Sequence, residues 1–173
     1  MKKKLILFLS LSFVLSGCIT YKRLKCNCEC VLMPPKNNKI PLYQNLYNKN
    51  INYIIINDTI KEEYYSLYID KIKGKLVFVE AYTPFDTVKK KGWIDIKYLG
   101  IYPSSSFKIN LYSKPDQKSK IKSQIIKPEY YPFNILDCSG EWLYVKYFDV
   151  DKKYKEGWLA PVDQCSNSYS TCN

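Results

Sequence analysis

Two nine-residue stretches decide the fold: GKLVFVEAY at residues 74–82 and GEWLYVKYF at residues 140–148. After the opening glycine of each stretch, every second side chain belongs to the same group, so that two groups of side chains alternate along the chain. A period of two places successive side chains on opposite faces of a β-strand. We therefore expect two half-buried strands. In the second strand one face carries Leu143, Val145 and Tyr147, and the other carries Trp142, Tyr144, Lys146 and Phe148.

These stretches belong to an internal repeat. IPLY at 40–43 matches INLY at 109–112, and KKKGWIDIKYLG at 89–100 matches KYKEGWLAPVDQC at 153–165. The three matched blocks keep their order and recur at offsets of 69, 66 and 65 residues. Three blocks in one order indicate a duplication.

Each copy also contains short runs rich in Tyr, Ile, Val and Phe, separated by turn-forming residues, and no stretch has a sustained helical period. Four or five short strands per copy fit a small closed barrel, which leaves no exposed edge strand. We predict an all-β protein with two small β-barrels in tandem, the first at residues 40–102 and the second at 103–173 with a Cys-containing C-terminal tail. The boundary is set where Pro103 and the serines 104–106 interrupt the strand pattern.

The repeated blocks resemble bacterial SH3-like domains, also called SH3b, over residues 40–165. That family has a short aliphatic opening strand, a central Gly-x-Trp-x-x-Val strand and a closing Gly-Trp pair. The matching residues of the second copy are Ile109, Leu111, Gly140, Trp142, Val145, Gly157 and Trp158. Those of the first copy are Leu42, Gly74, Leu76, Val79, Gly92 and Trp93, so that Leu76 departs from the pattern by replacing the central tryptophan.

The resemblance implies a ligand surface on the second copy. Large aromatic side chains on an outward strand face mark binding surfaces, and Trp and Tyr are the usual hot spots of interfaces. The predicted ligand-binding residues are Trp142, Tyr144, Tyr130 and Tyr131. The alternative for Trp142 is packing against the other barrel or a loop. For Trp93 and Trp158 we expect a structural role, with the ring filling the barrel after a glycine in an unusual backbone conformation, and direct ligand binding as the alternative.

The chain begins MKKKLILFLSLSFVLSGC, with three lysines, a short apolar stretch and small residues before a cysteine. This order predicts a secretory signal peptide at residues 1–17, too short in its apolar part to span a bilayer. Its end resembles a bacterial lipobox, which implies a lipidated (palmitate-carrying) Cys18 as the first mature residue, a membrane anchor of the cell envelope. Because Ile19 is not acidic, the resemblance favours the outer membrane, facing the periplasm. The alternatives are an ordinary signal peptide or an uncleaved anchor.

The basic character of the chain is concentrated near this anchor. The net charge is +11, and it falls to +8 without the three signal-peptide lysines. Residues 19–39 hold five basic residues against Glu29, so we interpret residues 18–39 as a Cys-rich basic tether beside an anionic membrane surface. Nucleic-acid binding explains the positive charge of an exported protein less well than a membrane-facing tether does. A codon bias towards Lys explains the charge as well as the tether.

The chain contains no histidine. This excludes Cys-His and Ser-His-Asp hydrolases and His-based zinc sites, although it leaves carboxylate-only glycosidases open. The acidic residues are scattered among lysines on turns and hairpins, and we therefore expect no enzyme activity, no cofactor and no metal.

Besides Cys18, six cysteines form a close trio and a distant trio: Cys26, Cys28 and Cys30, then Cys138, Cys165 and Cys172. In an oxidising compartment we expect all six in disulfide bonds. Fifteen pairings are possible, and joining each close cysteine to a distant one avoids strained i, i+2 bridges. A thiolate metal site on the C-x-C-x-C spacing is the alternative.

We expect a non-catalytic envelope binding module for a peptide or a cell-wall component such as peptidoglycan, an expectation that rests on analogy of fold. The alternatives are a scaffold or assembly lipoprotein that docks an envelope protein complex, and an inhibitor of foreign hydrolases.

Overall fold

The computed structural model describes residues 24–33, 39–56, 65–83, 87–149, 153–167 and 172. Cys18 and the predicted signal peptide, residues 1–17, lie outside the described residues. The strands are β1 (Cys28–Leu32), β2 (Lys39–Tyr43), β3 (Ile51–Ile56), β4 (Ser66–Lys73), β5 (Leu76–Tyr82), β6 (Lys90–Asp95), β7 (Leu99–Pro103), β8 (Lys108–Tyr112), β9 (Ile121–Ile126), β10 (Phe133–Ser139), β11 (Trp142–Phe148), β12 (Tyr154–Leu159) and β13 (Gln164–Cys165). Two 3₁₀ helices, Ile96–Tyr98 and Pro161–Asp163, precede β7 and β13.

The prediction of an all-β protein is confirmed. The strands follow the order β3-β2-β6-β5-β4-β1-β7-β10-β11-β12-β8-β9, with β13 paired to β7. All named strand pairs are antiparallel, and the path is open, with β3 and β9 at its ends. The strand pairing thus forms one open sheet, whereas the sequence predicted two closed barrels.

The strand pairing repeats along the chain, as the duplication predicts. We call β2 to β7 the first unit and β8 to β13 the second unit. In both units, the second strand pairs with the first, and the third, fourth and fifth form a meander. Each unit has two register shifts at matching places, which leave one extra residue in β3 (Asn52), β4 (Asp70), β9 (Lys122) and β10 (Leu136).

The two units share β7. This strand closes the first unit, where it pairs with β1, and it also lies between β10 and β13 of the second unit. In the first unit, β1 takes the position that β7 has in the second, because it lies between the third strand, β4, and the last strand, β7. The pairing of Cys30 with Leu67 in the first unit therefore corresponds to the pairing of Ile101 with Phe133 in the second. The predicted boundary between 102 and 103 falls inside this shared strand.

The N-terminal segment predicted to be a tether enters the sheet. Residues 28–32 form β1, and Cys28, Cys30, Val31 and Leu32 are buried there. The physical reason is that β4 and β7 need a strand between them to satisfy their backbone hydrogen bonds. One core cluster runs through both units and includes Leu67 and Ile69 from the first, Phe133 and Ile135 from the second, and Cys30 between them.

The described residues contain two disulfides, and these correct the predicted pairing. Cys26 bonds to Cys138, which joins the N-terminal segment to the second unit as expected, but Cys165 bonds to Cys172. Cys28 and Cys30 are free thiols in the core. The reason is that Cys26 pairs with Gly140 beside the end of β10, whereas the Cys28 thiol donates to the Gly140 carbonyl and Cys30 is fully buried opposite Leu67. In the chain-entropy model, the Cys26–Cys138 link, with a separation of 112 residues, contributes about 4–5 kcal/mol and the short Cys165–Cys172 loop about 2 kcal/mol.

The glycines of the two Gly-Trp pairs permit close approach of strands. A Cβ on Gly157 would lie 2.9 Å from Leu111 Cβ and 3.0 Å from the Tyr112 carbonyl oxygen. A Cβ on Gly92 would meet Leu42 and Tyr43 at the same two distances. Positive φ angles occur instead at Gly74 and Gly140, the first turn residues of the β4–β5 and β10–β11 hairpins, where glycine is free of steric cost.

We expect Gly157→Ala and Gly92→Ala each to destabilise the protein by about 1–3 kcal/mol, because the added methyl pushes against backbone that cannot move away. Urea unfolding checks this through the midpoint. The control is Gly74→Asn, which meets no atom within 4 Å and should cost no more than about 1–2 kcal/mol, since Asn tolerates a positive φ. Unchanged midpoints for both alanine variants would contradict the close-approach explanation.

Candidate binding surface

Strand β11 has the two faces that the sequence predicts. Leu143, Val145 and Tyr147 are buried, whereas Trp142 and Tyr144 are half-buried on the opposite face. The outward face continues onto the neighbouring strands, because Tyr144 is opposite Trp158 of β12 and Trp158 is opposite Tyr112 of β8.

Four half-buried rings on these three adjacent strands form what we call the second aromatic row: Tyr112, Trp142, Tyr144 and Trp158. Tyr112 meets Trp142 edge to face, with ring centroids 5.6 Å apart. Tyr144 meets Trp158 in the same way at 5.3 Å. Such T-shaped pairs hold each ring in one orientation and leave flat ring surface for a ligand.

A polar group anchors one end of the second aromatic row. Lys122, the extra residue of β9, donates to the Tyr144 hydroxyl and to Glu156 Oε1, both at 2.8 Å. The Tyr144 hydroxyl also donates to Glu156 at 3.1 Å. The hydrogen bonds from Lys122 and Tyr144 lower the pKa of Glu156, so its carboxylate stays ionised at neutral pH. This network fixes the Tyr144 ring at its polar end.

The first unit has an equivalent row, Tyr43, Phe78 and Trp93, which we call the first aromatic row. Phe78 and Trp93 are edge to face at 5.3 Å. Here the Lys71 ammonium lies 4.9 Å from the Phe78 centroid and 5.6 Å from that of Trp93. Trp93 is consequently only 6% exposed.

The difference between the two rows comes from one position. Lys71 is opposite Phe78, and Asp137 is opposite Tyr144 in the second unit. A lysine stem is long enough to cover neighbouring rings, and an aspartate side chain is not. Trp158 therefore stays half-buried where Trp93 is buried, although the Lys122 ammonium lies 5.4 Å from the Tyr144 ring centroid in the second aromatic row.

The four predicted ligand residues do not form one cluster. Trp142 and Tyr144 lie together in the second aromatic row. Tyr130 stacks on Tyr102 at 4.8 Å and donates its hydroxyl to the Asn167 carbonyl at 3.1 Å. Tyr131 is exposed and lines a small cleft with Phe148, at the other end of β11 from Trp142.

The prediction did not include Tyr112 and Trp158 in the surface. Trp158 follows Gly157, which packs inward against Leu111, and strand alternation alone places its ring on the outward face. The expected filling of the barrel is thus wrong for Trp158, whereas Trp93 is buried as expected, although it lies outside the core cluster. The alternative packing role for Trp142, against another barrel or a loop, is replaced by its contact with Tyr112 in its own unit.

The free thiols are held away from solvent. Burial raises the pKa of Cys28 to about 12, and burial also raises the pKa of Cys30. The Cys28 thiol donates to the Gly140 carbonyl at 3.1 Å. Both side chains therefore stay protonated at neutral pH, which makes them poor nucleophiles. Among the described residues there is no group of three or more His, Cys, Asp or Glu that could hold a metal ion.

Comparisons with protein-family models, with curated proteins and with solved structures find no match for this chain. Within the described ranges, no helix has the length and apolar character needed to cross a membrane.

We expect iodoacetamide to leave Cys28 and Cys30 unmodified in the native protein at about pH 8, and to label both in denaturant without reductant. Their native pKa values lie above the ordinary thiol value of 9.0. The stabilising contribution of the protonated thiols is therefore complete below about pH 9, and is lost as the pH rises towards about 12.

A Cys28→Ala, Cys30→Val double variant is the control for that alkaline loss, because it has no thiols to ionise at these positions. Its stability should fall less steeply with pH than that of the parent protein. Mass spectrometry counts the alkylated sites, and labelling of all six cysteines other than Cys18 in unreduced, denatured protein would overturn both disulfides.

Proposed function

We propose that this chain is an exported lipoprotein, anchored through Cys18 to the outer membrane and facing the periplasm. Its two units act as tandem SH3-like domains, and the second binds a peptide or cell-wall component without catalysis. The strand order of each unit, with a 3₁₀ helix before the last strand, supports the SH3-like assignment. The continuous sheet and the shared β7 join the two units through one core.

The observation that carries this proposal is the contrast between the two aromatic rows. Beside Lys71, Trp93 of the first row is buried, whereas its counterpart Trp158 in the second row stays half-exposed, together with Trp142, Tyr144 and Tyr112. Exposure of the four rings to water carries the unfavourable free energy of hydrating apolar surface, which a bound partner would remove. Stacked aromatic surface suits the faces of sugar rings and the flat backbone of extended peptides. Peptidoglycan offers both.

We expect Trp142→Ala to weaken the capture of the protein by purified peptidoglycan sacculi at least about tenfold, equivalent to roughly 1.4 kcal/mol. The reason is that the ring contributes contact area with little loss of side-chain entropy. The folded β spectrum should be intact, because Trp142 lies outside the core cluster. Sedimentation with sacculi measures capture, and circular dichroism measures folding.

The matched control is Leu76→Ala, at the corresponding position of the first unit. It should lower stability through lost packing and leave capture unchanged. If Trp142→Ala unfolds the second unit or leaves capture unchanged, the ring serves packing alone. A single stoichiometric protein that co-purifies, without capture by sacculi, would instead favour the scaffold function.

The anchor has its own test. Cys18→Ser should release the protein from the membrane fraction, because the lipobox then has no thiol to carry the lipid chains that provide stable anchoring. Fractionation and metabolic labelling with palmitate measure this. A Cys26→Ser variant controls for cysteine loss elsewhere, and we expect it to remain in the membrane fraction. Membrane-bound Cys18→Ser protein would refute lipidation at Cys18 as the anchor.

A further inference from the structure

A cleft of about 620 Å³ lies between the two units, on a different part of the surface from the second aromatic row. The first unit contributes Lys75 from the β4–β5 turn and Asp95 and Lys97 from the first 3₁₀ helix and its cap. The second unit contributes Leu136 of β10 and Lys146 of β11. The cleft exists because the shared β7 brings these segments together.

The cleft has an excess of positive charge. Three lysines face it, with one carboxylate, Asp95. That carboxylate is already engaged, because it accepts from the backbone N–H of Lys97 at 3.0 Å and pairs with its ammonium at 3.5 Å. Asp95 raises the pKa of Lys97, which therefore stays protonated at neutral pH. The Lys146 ammonium lies 3.9 Å from the Tyr154 ring centroid, an interaction that leaves its full charge in place.

The first unit contains a smaller counterpart of this cleft, of about 190 Å³. There Asp70, the extra residue of β4, pairs with Lys25 at 2.7 Å. Lys25 lies just before β1, as Lys97 lies just before β7. The corresponding extra residue of β10 is Leu136, which has no charge. In the first unit the bulge residue of β4 thus supplies a carboxylate to the lysine, whereas the bulge residue of β10 supplies none and Lys97 pairs with Asp95 beside it.

Leu136 adds an apolar contact to the larger cleft. Its side chain is 39% exposed there, since the bulge turns this residue outward. A ligand that satisfies both features has a carboxylate next to an apolar side chain. We propose that this cleft binds an acidic peptide segment, with a carboxylate among Lys75, Lys97 and Lys146 and an apolar side chain against Leu136. This second site uses none of the aromatic row, and does not rest on the proposed function.

The probe is a short synthetic peptide, GLEGLEG, compared with its uncharged counterpart GLQGLQG. Amide chemical shifts in NMR report where the peptide binds. We expect GLEGLEG to shift the amides around Lys97 and Leu136 in a saturable manner, with at least about tenfold weaker binding of GLQGLQG and a loss of affinity with added salt. Equal binding of the two peptides, or no saturable binding of either, would overturn the proposal.

Leu136→Asp is the decisive variant, because it gives β10 the carboxylate that β4 has in Asp70. It should lower the affinity for GLEGLEG at least about tenfold by occupying the lysines from within. Leu136→Asn has nearly the same size without the charge, and should retain more affinity. Equal losses in the two variants would mean that only the apolar contact matters, against the proposal.

Further variants keep the test valid if Leu136→Asp fails to fold. Lys97→Gln, at an exposed position, should also weaken binding, whereas Lys25→Gln at the smaller cleft should leave it unchanged. Trp142→Ala should leave the peptide affinity intact even if sacculus capture is lost. The last measurement tests binding of the protein to vesicles of anionic phospholipid. If they bind through Lys97 and GLEGLEG does not, the cleft is a lipid-headgroup site and the peptide assignment is wrong.

Discussion

The antiparallel pairing of β7 with three other strands is the constraint on which the rest of the structure depends. It pairs with β1, β10 and β13, so one five-residue strand closes the first unit and supports the second. Buried backbone groups have to be hydrogen-bonded, and neither unit satisfies that requirement without this strand. Gly100 of β7 shows how tight the junction is, because a Cβ there would lie 2.4 Å from Met33 Sδ and 3.0 Å from Pro132 Cβ. The two units consequently have a continuous core.

The same arrangement explains the place of the N-terminal segment. A unit of this kind has a strand between its third and last strands, and in the second unit that strand is β7 of the first. In the first unit the N-terminal segment provides it as β1. The Cys26–Cys138 disulfide then ties this segment to the β10–β11 turn of the second unit. The described part of the N-terminal segment, residues 24–33, is thus held to both units.

Much of the local structure could be predicted from the sequence. The repeat offsets and the alternation in β5 and β11 depend on neighbours along the chain, and the structure has strands at both stretches with the expected faces. The sharing of β7 and the entry of β1 could not be predicted, since strand order depends on contacts distant in sequence. For the same reason the sequence left the disulfide pairing open. Residue type alone predicts that Tyr130 and Tyr131 lie with Trp142. In the structure, the length of β10 with its bulge separates the two tyrosines from Trp142.

The two copies differ most in chemistry at the positions that the strand geometry turns outward. At the β-bulges, Asn52 and Asp70 of the first unit correspond to Lys122 and Leu136 of the second. Bulges aim side chains away from the regular pleat, so these residues can change without disturbing the core.

In the first unit, Asp70 pairs with Lys25, and the neighbouring Lys71 covers the aromatic row. In the second unit, Leu136 and Asp137 do neither, and Lys122 orients Tyr144 instead. A duplicated fold thereby has one copy in which Trp93 is buried and the bulge carboxylate is paired, and one in which Trp158 and Leu136 stay partly exposed to a partner. The core residues of both copies stay apolar, because the shared sheet requires them equally in each.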